Sequence, residues 1–182
     1  MLKSALGALL AAIAMFVWGF VYWGSGLVDP FTHMSAEAEA ALGEAVKTNL
    51  TADGVYVVPD PKNGTEEEWM QRMSAGPFAM INLKAGGTPP MQTTLALGFV
   101  HMLVTTILLA ALLMYVTPAA NYLERLKVIA TVGFIAAVFA HFGQPIWWHY
   151  PWPYALVGAI YDLGAYVISG AVLAYFVTPA RG

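Results

Sequence analysis

Residues 128–177 read VIATVGFIAAVFAHFGQPIWWHYPWPYALVGAIYDLGAYVISGAVLAYFV, two long apolar runs joined by a short Trp- and Pro-rich connection, with Asp162 as their one formally charged residue. A helix crossing a hydrocarbon core of about 30 Å needs roughly 20 predominantly apolar residues. The runs 128–148 and 154–177 both meet that length, and so do Leu95 to Val116 and Ala5 to Leu27. Composition agrees: of 182 residues, 59% are hydrophobic and 10% charged, far more apolar than a soluble domain. The fold class read from this pattern is a membrane all-α four-helix transmembrane bundle with a small α+β insert, in the order α-β-α-β, between its first and second helices. The division is 1–28 for the first helix, 29–92 for the insert, and 93–182 for a three-helix region with spans at about 95–116, 128–148 and 154–177.

The first run has a basic Lys3 before it, as a signal peptide would. Its apolar stretch exceeds the roughly 7–15 residues of a signal's hydrophobic region and ends in Trp18, Tyr22 and Trp23, so it reads as a retained anchor. Outside the spans, Lys3, Arg125, Lys127 and Arg181 stand at one set of helix ends, whereas the insert holds nine of the eleven acids. The positive-inside rule then puts both termini in the cytoplasm and residues 29–92 outside, with a bacterial inner membrane as the expected location. Trp147, Trp148 and Trp152 crowd the connection between the third and fourth helices, where amphipathic rings favour the headgroup level. Pro145, Pro151 and Pro153 are expected to stiffen that connection. The second and fourth helices both end on Val-Thr-Pro-Ala, at 116–119 and 177–180, which reads as a repeated stop signal.

Within the insert, Ser35 is placed to cap a helix running to about Thr48, and Thr65 to cap a second one, with Glu68 at the capping-box position. The β-rich runs Val55 to Val58 and Phe78 to Leu83 read as strands. A unit this small buries little apolar surface and is marginal without disulfides or metals. The chain has no cysteine, which removes disulfides, thiolate metal sites, iron–sulfur clusters and thiol nucleophiles together. The insert is therefore expected to lean on the bilayer, a copy of itself or another subunit.

Ionisable residues inside spans are rare and costly, and are where function is sought first. His101, His141 and Asp162 are the three in this chain, one in each of the last three spans. Each lies sixteen residues from a marker at the inner boundary, Thr117, Arg125 and Thr178 respectively, which sets all three at one level in the outer leaflet. Stepping by three and four places each in a stripe of small or hydroxylated residues: Thr94, Gly98, His101 and Thr105; Gly133, Ala137, His141 and Gln144; Gly158, Asp162, Ala165 and Ser169. The simplest arrangement turns the three stripes inward and brings the imidazoles and the carboxylate together, with Gln144 and His149 at the rim.

An Asp beside a His orients its tautomer, which suits proton relay or quinol chemistry. Two His and one carboxylate are also an adequate divalent-metal set, and two His on facing helices can ligate haem b. No cofactor is required by the sequence, and no spacing selects among haem b, a quinone and a metal. A buried hydrogen-bonded group that fixes helix packing is the plain alternative. No phosphate loop, nucleophile elbow or paired metal-ligand spacing occurs, so an enzyme acting alone is disfavoured. Scattered basic residues exclude a nucleic-acid surface. The expected function is thus a non-catalytic integral membrane protein, an accessory or assembly subunit or scaffold of a larger complex. Its expected partners are the lipid bilayer and other membrane subunits or a second copy; the rival expectation is a redox or proton-handling protein working at His101, His141 and Asp162.

Overall fold

The computed structural model of the chain describes residues 2–116 and 121–177. Four helical segments are long and apolar enough to span a bilayer: α1 (Leu2–Gly24), α4 (Met91–Val116), a third running from Tyr122 to Trp148, and α7 (Trp152–Phe176). With 23 to 27 residues each, they reach about 35–40 Å at 1.5 Å per residue, enough for the hydrocarbon core with some tilt. By helix length and hydropathy the chain is a multi-pass membrane protein. The third segment is not uniform: α5 (Tyr122–Ala137) passes into a π-helical turn (Val138–Phe142) and then into the short α6 (Gly143–Trp148). Asn121 and Glu124 form a capping box at its start, so it begins earlier than the apolar run alone implies. The markers Thr117, Thr178 and Arg181, and the Thr-Pro-Ala part of both echoes, lie outside the described residues.

Small residues let these helices approach closely, which is how membrane helices associate when lipid is as apolar as their side chains. On α1 the buried face is Ser4, Gly7, Ala8, Ala11, Ala12 and Met15, at helical spacing. Against it α4 sets Thr106, Leu109, Ala110 and Leu113, and the Thr106 hydroxyl donates to the Ala8 carbonyl at 2.8 Å. All four spans feed one core cluster, which includes Ala8, Ala11, Leu113, Ile129 and Leu173. α7 packs on both α1 and α5, whereas α4 packs chiefly on α1. Leu108, Ile135, Phe139 and Ile160 point outward, as lipid-facing residues do.

Residues 33–90 form a separate compact unit. Its α2 (Ala36–Asn49) is capped by Ser35, whose hydroxyl accepts from the Ala38 N–H, and α3 (Glu66–Ala75) by the reciprocal Thr65–Glu68 box. The strands β1 (Gly54–Val58) and β2 (Ala79–Leu83) pair antiparallel, in the register Gly54 to Leu83 through Val58 to Ala79. Asp53 closes the open end of this ladder by accepting from Lys84 and from the Ala85 N–H. Trp69 and Arg72 tie α3 back to the carbonyls of Pro59 and Asn63. Neither helix packs across the sheet. Among the described residues of this unit none is buried.

Candidate functional site

Pro145 shapes the site. It stands inside α6 and is buried, and thus does not belong to the exposed connection where the sequence suggested it would act. A proline within a helix has no N–H to donate, and its ring collides with the carbonyl four residues earlier, here that of His141. The chain answers with the π turn over 138–142, a wider turn of a kind that clusters at functional positions. His141 is thereby carried on a local irregularity and set against α7.

There the imidazole lies on bare backbone. A Cβ added to Gly158 would fall 2.6 Å from both Nδ1 and Cε1 of His141. One helical turn further on, Asp162 meets the same ring: Nε2 and Oδ2 are 2.7 Å apart. That distance is a hydrogen bond, in which the ring tautomer protonated on Nε2 donates its N–H to the carboxylate. The two side chains are 18% and 34% exposed, so the pair borders open space and is not sealed in the core.

Helix α1 fixes α7 at this level through aromatic side chains. Trp18 Nε1 donates to the Tyr161 carbonyl at 3.0 Å, and the Tyr22 hydroxyl to the Val157 carbonyl at 2.9 Å. Gly164 leaves room for the Trp18 indole, which would otherwise meet a Cβ at 2.7 Å. The Tyr161 ring stacks at a tilt on those of Tyr22 and Trp23, with centroids 5.5 and 5.3 Å away. Between these elements opens a cavity of about 220 Å³, lined by His141 and Gln144, by Trp23, Tyr154 and Tyr161, and by Phe31 from the segment after α1. Gln144 has a buried Oε1 that meets no donor among the described residues.

The remaining residues singled out from the sequence are placed as follows. His101 is exposed on α4, its carbonyl accepting from the Thr105 hydroxyl, and the stripe Thr94, Gly98, His101 and Thr105 is not the face on which α4 packs. Open space lies beside Gly98. The structure thus brings His141 and Asp162 together and leaves His101 apart. Among the described residues no three His, Asp or Glu side chains gather as metal ligands, so the set His101, His141 and Asp162 is not assembled within one chain. His149 closes α6 in the left-handed conformation, φ 57°, and is exposed, away from the cavity lining. Trp147, Trp148 and Trp152 are exposed, with Trp152 edge-on to Phe142.

Sequence reasoning missed three features of the site. The π turn carries no periodic signal, although a proline four residues after a span histidine was a clue. Gly158 appeared only as one small residue among several, yet its spacing of four from Asp162 is what cradles the ring. The aromatic walls Trp23, Phe31 and Tyr161 come from segments that no pattern joins. No protein-family model, curated protein or solved structure matches the chain.

Proposed function

We propose that this chain is a non-catalytic subunit of a larger membrane complex in a bacterial inner membrane, which presents residues 33–90 to a partner subunit on the outer side. One observation carries this reading: the unit's local structure is fully specified by caps, a capping box and a registered hairpin, yet it encloses no buried residue. Four elements without a core do not offset the entropy of ordering them. The missing apolar contact is supplied by a partner's surface. Net acidity of the insert, with eight Asp and Glu against four Lys and Arg between 33 and 90, favours a partner with a basic face. The orientation rests on the placement of Lys3, Arg125, Lys127 and Arg181 opposite the acidic insert.

Cross-linking in native membranes tests it. A photoreactive cysteine probe at Val55→Cys, exposed on β1, is expected to trap one membrane protein of defined mass, while the same probe at the lipid-facing Ile135→Cys is expected to trap none. Random adducts at Val55, or a chain that elutes alone from mild detergent with Val55→Cys unlinked, would remove the subunit reading. For orientation, Asn63→Cys is expected to react with an impermeant thiol reagent in intact cells and Asn121→Cys to be protected; the reverse pattern inverts the topology.

A further inference from the structure

We propose that the cavity between α1, α6 and α7 holds the trimethylammonium end of a lipid headgroup of the phosphocholine type. Its depth fits such an occupant. Trp23 is the last residue but one of α1 and Tyr154 lies in the first turn of α7, so the cavity opens at the helix ends, at headgroup level and not among acyl chains. Aromatic rings wall it in two tilted pairs: Trp23 and Tyr161, with centroids 5.3 Å apart and planes at 52°, and Phe31 and Tyr154, at 6.3 Å and 53°. Rings at such angles form corners around the space and do not close it by stacking. The Phe31 wall is held at its backbone, where the N–H donates to Asp29 Oδ1 at 3.1 Å. Trp23 and Phe31 remain partly exposed, which leaves a way out for the rest of the lipid.

Charge complementarity selects the cation. The face of an aromatic ring is negative and attracts a cation, and cages of several rings recognise quaternary ammonium groups. Formal charge acts in the same sense: no Lys or Arg lines the cavity, while Asp162 follows Tyr161 in the chain and holds the lining His141 ring. Size agrees as well. A cavity of roughly 150 Å³ accepts benzene, and this one, at about 220 Å³, takes a trimethylammonium group and the start of its linker. Gln144 supplies a second contact. Its Oε1 is buried, so the side chain presents its amide N–H groups to the cavity that it lines. The phosphate that follows the ammonium in such a headgroup brings charged acceptor oxygens to that donor. A primary ammonium, as in phosphatidylethanolamine, would meet a donor at Gln144 and not an acceptor. The inference concerns lipid binding alone and is independent of any partner for the insert.

Titration of the purified full-length chain in maltoside micelles tests the proposal, with three short-chain lipids: phosphatidylcholine, its analogue with tert-butyl in place of trimethylammonium, and phosphatidylethanolamine. Saturable binding of phosphatidylcholine is expected, about fivefold or more tighter than of the other two, the discrimination that a cation on aromatic faces provides. Trp23→Leu and Phe31→Leu are expected to erase the preference over the tert-butyl analogue. Gln144→Leu is expected to weaken both lipids alike and keep that preference, and Trp147→Phe, at an exposed ring outside the cavity, to change neither. Equal affinity for phosphatidylcholine and its uncharged isostere means that the cavity is a groove for any hydrocarbon and overturns the proposal. So do a preference for phosphatidylethanolamine, an absence of saturable binding, and a preference that survives both ring variants. Free choline that binds as tightly as the lipid would make the ligand a soluble cation and overturn the headgroup as its source. Should Trp23→Leu not fold, Phe31→Leu, at an exposed ring outside the helices, decides.

Discussion

The His141 imidazole rests on the backbone of Gly158: a side chain there would begin 2.6 Å from Nδ1 and Cε1, inside any real carbon contact. Glycine at this position is a packing requirement of the His141–Asp162 contact. It makes a notch one turn before the carboxylate on the same face of α7, and the ring fills it with Nε2 turned to Oδ2.

Two glycine substitutions should therefore behave differently. At Gly133 an added Cβ would lie 2.3 Å from the Tyr166 Cβ, which is bonded to the α7 backbone and cannot swing aside. Gly133→Ala should cost about 1–3 kcal/mol, the usual range for overpacking. At Gly158 the obstructing group is a ring at the end of two rotatable bonds, and alanine gains up to about 1 kcal/mol in helix propensity. Gly158→Ala should leave stability nearly unchanged while displacing the imidazole from Asp162. Unfolding in mixed micelles reads the first effect, and the Nε2-bound proton resonance of His141 the second. Equal loss of stability in both variants would contradict this account.

The worth of the pair itself is accessible by a double-mutant cycle of His141→Leu, Asp162→Leu and the double variant. Removing one partner strands the other in a largely apolar setting, so each single change should destabilise, and the double change by less than their sum. Because a third of the Asp162 side chain is exposed, solvent screening holds the coupling to about 1 kcal/mol, the low end for such contacts. Additive effects would mean that the contact carries no stabilisation.

How far this architecture was readable depends on which interactions are local. Spans are set by runs of apolar residues, and Ser35, Thr65 and Glu68 announce caps whose partners lie within three residues. Those elements stand where the pattern placed them. The stripe Gly133, Ala137 and His141 does face α7, because close glycine packing leaves two antiparallel neighbours little freedom. Nothing local distinguishes the stripe around His101 from the face of α4 that α1 covers, since Thr106 and Ala110 are as small as Gly98 and Thr105. Which face is covered is decided by the neighbour, through the Thr106 bond to the Ala8 carbonyl.

Acid should loosen the 33–90 unit. The Thr65 backbone N–H, then the Thr65 hydroxyl and the Arg72 charge, hold the Glu68 carboxyl below the usual range. Asp53 is lowered by its bond to Lys84, then by the Ala85 N–H. A carboxylate whose folded pKa is depressed stabilises the fold above its unfolded value, and that stabilisation is lost as pH falls through the folded value. Both groups are fully exposed, so each effect is small. Hydrogen-exchange protection at the first turn of α3 and at Ala85 should stay level at neutral pH and decline below about pH 4, the ordinary carboxylate range. Protection unchanged down to pH 3 would show that neither bond supports the unit.

The strongest test of the site's construction is Pro145→Ala. Helices α5 and α7 are joined at two heights, by the Arg125 guanidinium donating to the Val177 carbonyl at 2.7 Å and by the His141–Asp162 contact. Sixteen residues separate Arg125 from His141, but only fifteen separate Asp162 from Val177. A π turn takes in more residues for its length than an α turn, so the helix containing it absorbs the additional residue between the two contacts. With alanine at 145 the N–H returns, the carbonyl of His141 is no longer obstructed, and the segment can close into regular α-helix. Both contacts then cannot be kept at once. Arg125 holds a helix end among the core residues, whereas His141 stands at the margin of an open cavity, so the His141–Asp162 contact is the one to break. Pro145→Ala should therefore stay folded, lose the His141–Asp162 proton resonance and rotate Gln144 out of the cavity. If the variant keeps that resonance, the π turn is held by something other than the proline, and the spacing of the two contacts has another origin.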